Sequence, residues 1–195
     1  LKIQSYKKQD SVYTTSDHID KAVNWICITQ NNQPDDGVPA TISFCCGKVI
    51  SSGSFPEVTG YIIKTLFDYS TIFNSLEVFE SAVKACEFEL NYQNDDGWFP
   101  EGSIGSLKGP SVFNTGQIVH GLIRAFHETG DDKYLTSCIK ACDWIIKVQR
   151  ADGAWSNYNY RNLPRTYDSK VSESLLEVSK ITDNKEYVQS AQRNL

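Results

Sequence analysis

The 195-residue chain contains no methionine and only three histidines. No apolar run approaches the roughly 20 residues that a membrane-spanning helix needs, so no helix is expected to cross a bilayer. There is no excess or clustering of basic residues. The net charge is -5, and the scattered lysines and arginines exclude general affinity for nucleic acid or anionic lipid. No C-x-x-C spacing occurs, and no histidine lies near the cysteines, so neither a zinc site nor any other metal or cofactor is expected. No signal peptide is visible. Because the chain starts at Leu1 without a methionine, its native start is expected upstream, and a missing leader carries no weight.

The sequence is otherwise that of an ordinary globular protein, with 40% hydrophobic and 22% charged residues. Its length suits one well-buried core or a row of smaller ones. Of the six cysteines, Cys27, Cys86, Cys138 and Cys142 fall within helical patterns. Free, buried thiols acting as small hydrophobes fit those positions, which implies a reducing, cytoplasmic location. Cys45 and Cys46 are adjacent in a loop and have no assigned part in the pattern.

Self-similarity dominates what is present. Trp25–Gly37, Phe88–Gly97 and Trp144–Gly153 each begin with an aromatic residue, pass a glutamine (Gln30, Gln93, Gln149) and end in Asp-Gly. Lys21-Ala22, Lys84-Ala85 and Lys140-Ala141 precede the aromatic by the same interval. In a second element, Thr59, Thr115 and Asp168 are followed at +3, +4, +7 and +8 by apolar residues, with Ser172 the exception. That stripe has the helical period, and threonine and aspartate read as N-caps at the helix starts. Short turns such as Thr129-Gly130-Asp131, with Gly130 as C-cap and Asp131 as N-cap, force antiparallel neighbours. Longer loops (38–56, 98–112 and 154–167) join one hairpin to the next. Trp25, Phe88 and Trp144 are expected in the core, Asp-Gly as C-cap and turn, and the glutamines as helix-end caps or bridges between repeats. Residues 1–195 therefore form one all-α domain of about three and a half tandem hairpins of about 55 residues, stopping partway through a further repeat.

Trp144-Ile-Ile-Lys-Val-Gln149-Arg-Ala-Asp-Gly153-Ala-Trp155 resembles the QW motif of squalene-hopene cyclases and their relatives. Phe88–Trp98 is a weaker copy, and Trp25–Gly37 lacks the final tryptophan. The resemblance covers residues 20–195. It implies an α/α toroid, here an incomplete ring, whose loops crown a central cavity. This architecture hosts terpenoid cyclases and prenyltransferases. Similar six-hairpin toroids host glycosidases, polysaccharide lyases, unsaturated glucuronyl hydrolases and N-acylglucosamine epimerases, and fold does not choose among them.

The inner helices carry a polar stripe: Tyr61, Lys64, Asp68; Gln117, His120, Arg124; Lys170, Glu173, Glu177. It faces a cavity in a closed ring and water in an open array. His120 is its one histidine, an acid or base candidate near neutral pH. The connecting loops gather aromatics among hydrogen-bonding groups, as sugar sites do, in Trp98, Trp155, Tyr158 and Tyr160 with Arg161 and Arg165. Glu57, Glu101 and Asp168 are carboxylates at the same end, and glycoside hydrolysis commonly uses a pair. Asp168 also reads as a plain N-cap. A uronate carboxylate would suit the inner-helix N-termini there, with Arg161 or Arg165 as partner. The catalytic candidates are thus Glu57, Glu101, His120 and Asp168, and the substrate-binding candidates are Trp98, Trp155, Tyr158, Tyr160, Arg161 and Arg165. The leading expectation is action on a polysaccharide or oligosaccharide by hydrolysis, elimination or epimerisation. A terpenoid cyclase would need an acidic motif such as D-x-D-D, and only the pairs Asp35-Asp36, Asp95-Asp96 and Asp131-Asp132 occur. The third alternative is a non-catalytic helical scaffold or sugar-binding module.

Overall fold

The computed structural model describes residues 13–46 and 48–195. Among them are seven helices: α1 (Thr15–Asn31), α2 (Pro56–Phe73), α3 (Leu76–Tyr92), α4 (Val112–Thr129), α5 (Asp132–Lys147), α6 (Ser169–Thr182) and α7 (Lys185–Asn194). The protein is all-α, built from packed helical hairpins. The pairs are α2–α3, α4–α5 and α6–α7, while α2, α4 and α6 also pack side by side as an inner row. Each hairpin turn has the same construction. A left-handed residue (Asn74, Gly130, Asp183) ends one helix, and the next residue (Ser75, Asp131, Asn184) caps the following helix by accepting a backbone N–H.

The inner helices approach closely through small residues. A methyl group on Gly60 would lie 2.7 Å from the Ile118 side chain, and one on Gly121 would lie 2.6 Å from the Gly60 carbonyl. The expected stripe forms the core: Ile63, Leu66 and Phe67 of α2, Ile118, Val119 and Leu122 of α4, and Val171 and Leu175 of α6 are buried.

Three details differ from the sequence reading. First, Thr59 and Thr115 are not N-caps, because α2 starts after Phe55 and α4 after Ser111. Their hydroxyls accept hydrogen bonds from the loop amides of Val38 (2.9 Å) and Phe99 (3.0 Å) and donate to the carbonyls of Phe55 and Ser111. They therefore tie each long loop to the helix it enters. Asp168 does stand at the N-cap of α6 but makes no capping bond there. It too holds the loop, accepting from the Asn159 side chain (2.8 Å) and the Arg165 amide (3.1 Å). Second, Asp-Gly lies in the turn beyond the helix rather than at its C-cap. Gly97 and Gly153 have positive φ (103° and 86°) and abut the carbonyls of Lys140 and Arg193, where any side chain would collide. Third, Trp25 is 54% exposed, whereas its equivalents Phe88 and Trp144 are buried. Phe88 and Trp144 each belong to a helix paired with an inner helix, and α1 has no such partner among the described residues.

The loop between α1 and α2 also holds an unforeseen hairpin, β1 (Ile42–Cys45) and β2 (Lys48–Ser51), paired antiparallel from Ile42↔Ser51 to Cys45↔Lys48. Its β-branched residues Ile42, Val49 and Ile50 are the signal that the reading passed over.

The glutamines bridge repeats. Each Nε2 donates to a carbonyl of its own turn (Asp36, Gly97, Gly153) and to a carbonyl of the next outer helix (Ser81, Ser137, Ser190), all within 2.8–3.0 Å. Gln93 and Gln149 also accept from the hydroxyls of Ser137 and Ser190 at 2.7 Å. Replacing Gln93 with alanine removes the bridging hydrogen bonds to Gly97 and Ser137 and should cost about 1–3 kcal/mol. Chemical denaturation checks this, and a loss no larger than that of an exposed glutamine variant would refute it.

Glu89 of α3 is fully buried and occupies the position filled by Ile145 in α5. Neither carboxyl oxygen makes a hydrogen bond of good geometry. Burial pushes this carboxyl well above the usual glutamate range, opposed only by the nearby Gly60 amide. A carboxyl raised in the folded state stabilises fully below its unfolded pKa, and that contribution falls as pH rises toward the native value. Glu89→Ile should therefore flatten the loss of stability over the pH range above the ordinary glutamate pKa. An unchanged slope in denaturation midpoints across that range would refute the assignment.

Candidate functional site

The polar stripes run along α2, α4 and α6 from the first half of each helix into the second, and they converge on open clefts. One, of about 240 Å³, is lined by Tyr61 and Lys64 of α2, Gln117 and His120 of α4, and Lys170, Glu173 and Glu177 of α6. A second, of about 440 Å³, shares Lys64, His120 and Glu177 and extends to Arg124, His127 and Lys180. His120 lies at their junction. Its Nδ1 is 2.6 Å from a Glu177 carboxylate oxygen, and its Nε2 is 3.1 Å from the Lys170 carbonyl. Both partners are acceptors, and which ring nitrogen donates depends on the tautomer. The hydrogen bond from His120 holds the Glu177 carboxyl below its ordinary range, with Lys180 and Lys64 adding to the effect. Arg124 is clamped between Asp68 (3.1 Å) and Glu128 (2.8 Å), which fixes the cleft wall.

A third cleft, of about 230 Å³, opens at the loop end. It is lined by Glu57 from the first turn of α2, Glu101 from the α3–α4 loop, Phe113 and Asn114 of α4, and Asn159, Tyr160 and Tyr167 of the α5–α6 loop. Phe55 and Ser111, the residues that precede α2 and α4, lie in the same wall, so two helix N-termini meet there. Burial raises the Glu57 carboxyl above its ordinary range, and the negative charge of Glu101 adds to the rise. Glu101 itself is paired with Lys108 Nζ at 3.0 Å. Two carboxyls in one cleft thus have different settings: one desolvated, the other beside a cation.

The structure therefore brings Glu57, Glu101 and Tyr160 together. The ring of Tyr160 is 58% exposed and is flanked by the guanidinium groups of Arg161 and Arg165, each 5.2 Å from its centroid. His120 lies in a different cleft. Asp168 is buried, with its bonds turned to the loop. Trp155 is fully buried, its indole N–H donating to the Ile145 carbonyl (3.0 Å), and has no face open to a ligand. Trp98 is half-buried against the core. Tyr158 is partly exposed and stacks on Trp144, 5.6 Å between centroids. Sequence reasoning placed Glu177 and Tyr61 on the stripe without assigning them to the site. The signal for Glu177 was its position on that stripe. Asn159 and Tyr167 gave no comparable signal. Among the described residues no group of three or more histidine, cysteine, aspartate or glutamate side chains is gathered as a metal would require, and no helix is long and apolar enough to cross a membrane.

No family model and no curated protein matches the chain. Among solved structures, a polysaccharide lyase is similar at 15% identity with a TM-score of 0.54, over 93% of this chain and 35% of that one. That likeness shows a shared helical fold, and the chain spans about a third of the lyase's length.

Because Glu101 contributes to the raised Glu57 carboxyl, Glu101→Gln should move the Glu57 titration midpoint downward while burial keeps it above the ordinary range. Carboxyl-detected NMR titration of the two proteins measures this. A Glu57 midpoint that stays still or rises would separate the two groups.

Proposed function

We propose that this chain handles carbohydrate, binding a polysaccharide or oligosaccharide along the N-terminal half of its inner helices and acting on it by acid–base chemistry. The observation that carries the reading is the continuity of one helix edge. Glu57 lines the loop-end cleft, while Tyr61 and Lys64, one and two turns further along α2, line the cleft of His120. The edge from Glu57 to Lys64 extends about 10 Å at 1.5 Å per residue, enough for more than one sugar ring. Tyr160 stands at one end beside Arg161 and Arg165, and lysines and carboxylates line the inner cleft. The shared fold with a polysaccharide lyase supports the same class of ligand.

In this reading Glu57, whose carboxyl holds its proton more tightly through burial and the charge of Glu101, donates a proton to a departing sugar oxygen, and Glu101, paired with Lys108, stands as its partner. The inner cleft, where Glu177 fixes His120 beside Lys64, offers a second position that binds hydroxyls or a uronate carboxylate through the Lys64 ammonium. Paired carboxyls favour hydrolysis, whose spacing would set the stereochemical outcome. Elimination would instead draw on Tyr61, which lines the inner cleft.

Calorimetric titration with acidic and neutral oligosaccharides, followed by product analysis, tests the proposal. Glu57→Gln should abolish release of new reducing ends while sparing binding. Lys64→Ala should weaken binding by about tenfold, the loss of one charged hydrogen bond. New reducing ends without a conjugated double bond indicate hydrolysis, and ends with one indicate elimination. Binding without turnover would leave a sugar-binding module. No binding to either class of oligosaccharide would overturn the proposal.

A further inference from the structure

Four of the six thiols are sealed in the core: Cys27 is 4% exposed, and Cys86, Cys138 and Cys142 are wholly buried. Burial raises the last three far above the ordinary thiol range, so they stay neutral and inert. Cys45 and Cys46 are the opposite case. Both are exposed, Cys45 ends β1 and Cys46 follows it in the turn of the β1–β2 hairpin, and their sulfurs lie 3.7 Å apart. Cys46 has φ of 51°, a left-handed conformation that a hairpin connection normally assigns to glycine or asparagine. Cysteine there is a local mismatch with turn chemistry.

We propose that Cys45 and Cys46 form a thiol–disulfide exchange site for low-molecular-weight disulfides, closing reversibly into a vicinal disulfide. The Cys45 thiolate attacks one sulfur of the small disulfide, forms a mixed disulfide and expels one small thiolate. The Cys46 thiolate then attacks the Cys45 sulfur, and the second small thiolate leaves. Two protein thiols are oxidised, one small disulfide is reduced to two thiols, and the two protons released by the cysteines pass to those thiolates. Adjacent Cα atoms are about 3.8 Å apart across a trans peptide, less than the roughly 4.4–6.8 Å of ordinary disulfides, so the closed ring is strained and easily reduced. A strained, exposed disulfide belongs to the labile class that responds to redox conditions rather than to structural staples. This site is independent of the carbohydrate reading.

The native protein is incubated with oxidised glutathione, quenched with acid, alkylated after unfolding and mapped by mass spectrometry. The peptide carrying Cys45 and Cys46 should be two hydrogens lighter, the count of alkylated thiols should fall from six to four, and a small dithiol should restore it. Cys46→Ser should instead retain glutathione on Cys45. A lasting glutathione adduct on the unsubstituted protein, a disulfide-linked dimer, or six unchanged thiols would each overturn the proposal.

Discussion

Gln30, Gln93 and Gln149 each place one side-chain amide between a carbonyl of their own turn and a carbonyl of the next outer helix. This bidentate donation fixes how far each repeat advances past the last, because both acceptors must lie within hydrogen-bonding range of a single nitrogen. Where the serine hydroxyl of the next helix also donates to the glutamine oxygen, as at Ser137 and Ser190, the side chain is saturated. At Gln30 the oxygen is buried without a partner, and the latch is weaker at that end of the array. The close approach of Gly97 to Lys140 and of Gly153 to Arg193 is part of the same contact. A turn bearing any side chain there would push the next outer helix away and pull its carbonyl off the glutamine.

Once the outer helices are spaced, the inner ones have little freedom. Short turns join each hairpin, and Gly60, Gly116 and Gly121 let α2, α4 and α6 approach with small residues at the contacts. That closeness turns three separate polar stripes into shared clefts. His120 and Glu177 belong to different repeats and meet at 2.6 Å only because α4 and α6 are held together. The long loops are tied down by Thr59, Thr115 and Asp168, so Glu101 and Tyr160 reach Glu57 from two different connections.

How much of this was legible follows from what sequence spacing encodes. Periodicity along one helix is local, and it gave the hairpins, the buried stripe and the bridging glutamines. The position of Thr59 within the repeat was right, but its role was not. A threonine at a helix start and one in the first turn bonded to a loop look alike until the loop is placed. Trp155 read as a ligand platform because it sits among polar loop residues, yet its indole N–H finds the Ile145 carbonyl and the ring fills the core. The exposure of Trp25 depends on whether a helix covers α1, which no residue within the repeat records. Contacts between repeats, such as the His120–Glu177 pair, depend on packing distance and cannot be counted off a chain.

The two ends of the groove are held by different physics. At the loop end, Glu57 is controlled by desolvation, so its protonation depends on the loops that cover it. On the inner face, Glu177 is controlled by its hydrogen bond to His120 and by lysines that stay in water. The first setting follows loop composition, the part of a repeat array most free to vary. The second follows helix register, which the glutamine bridges fix. Under the proposed function, a ligand lying across both would meet a rigid charged pair at one end and an adaptable, partly dry acid at the other. Such a division would let one helical scaffold keep its grip on a class of ligand while its loops alter the chemistry performed on it.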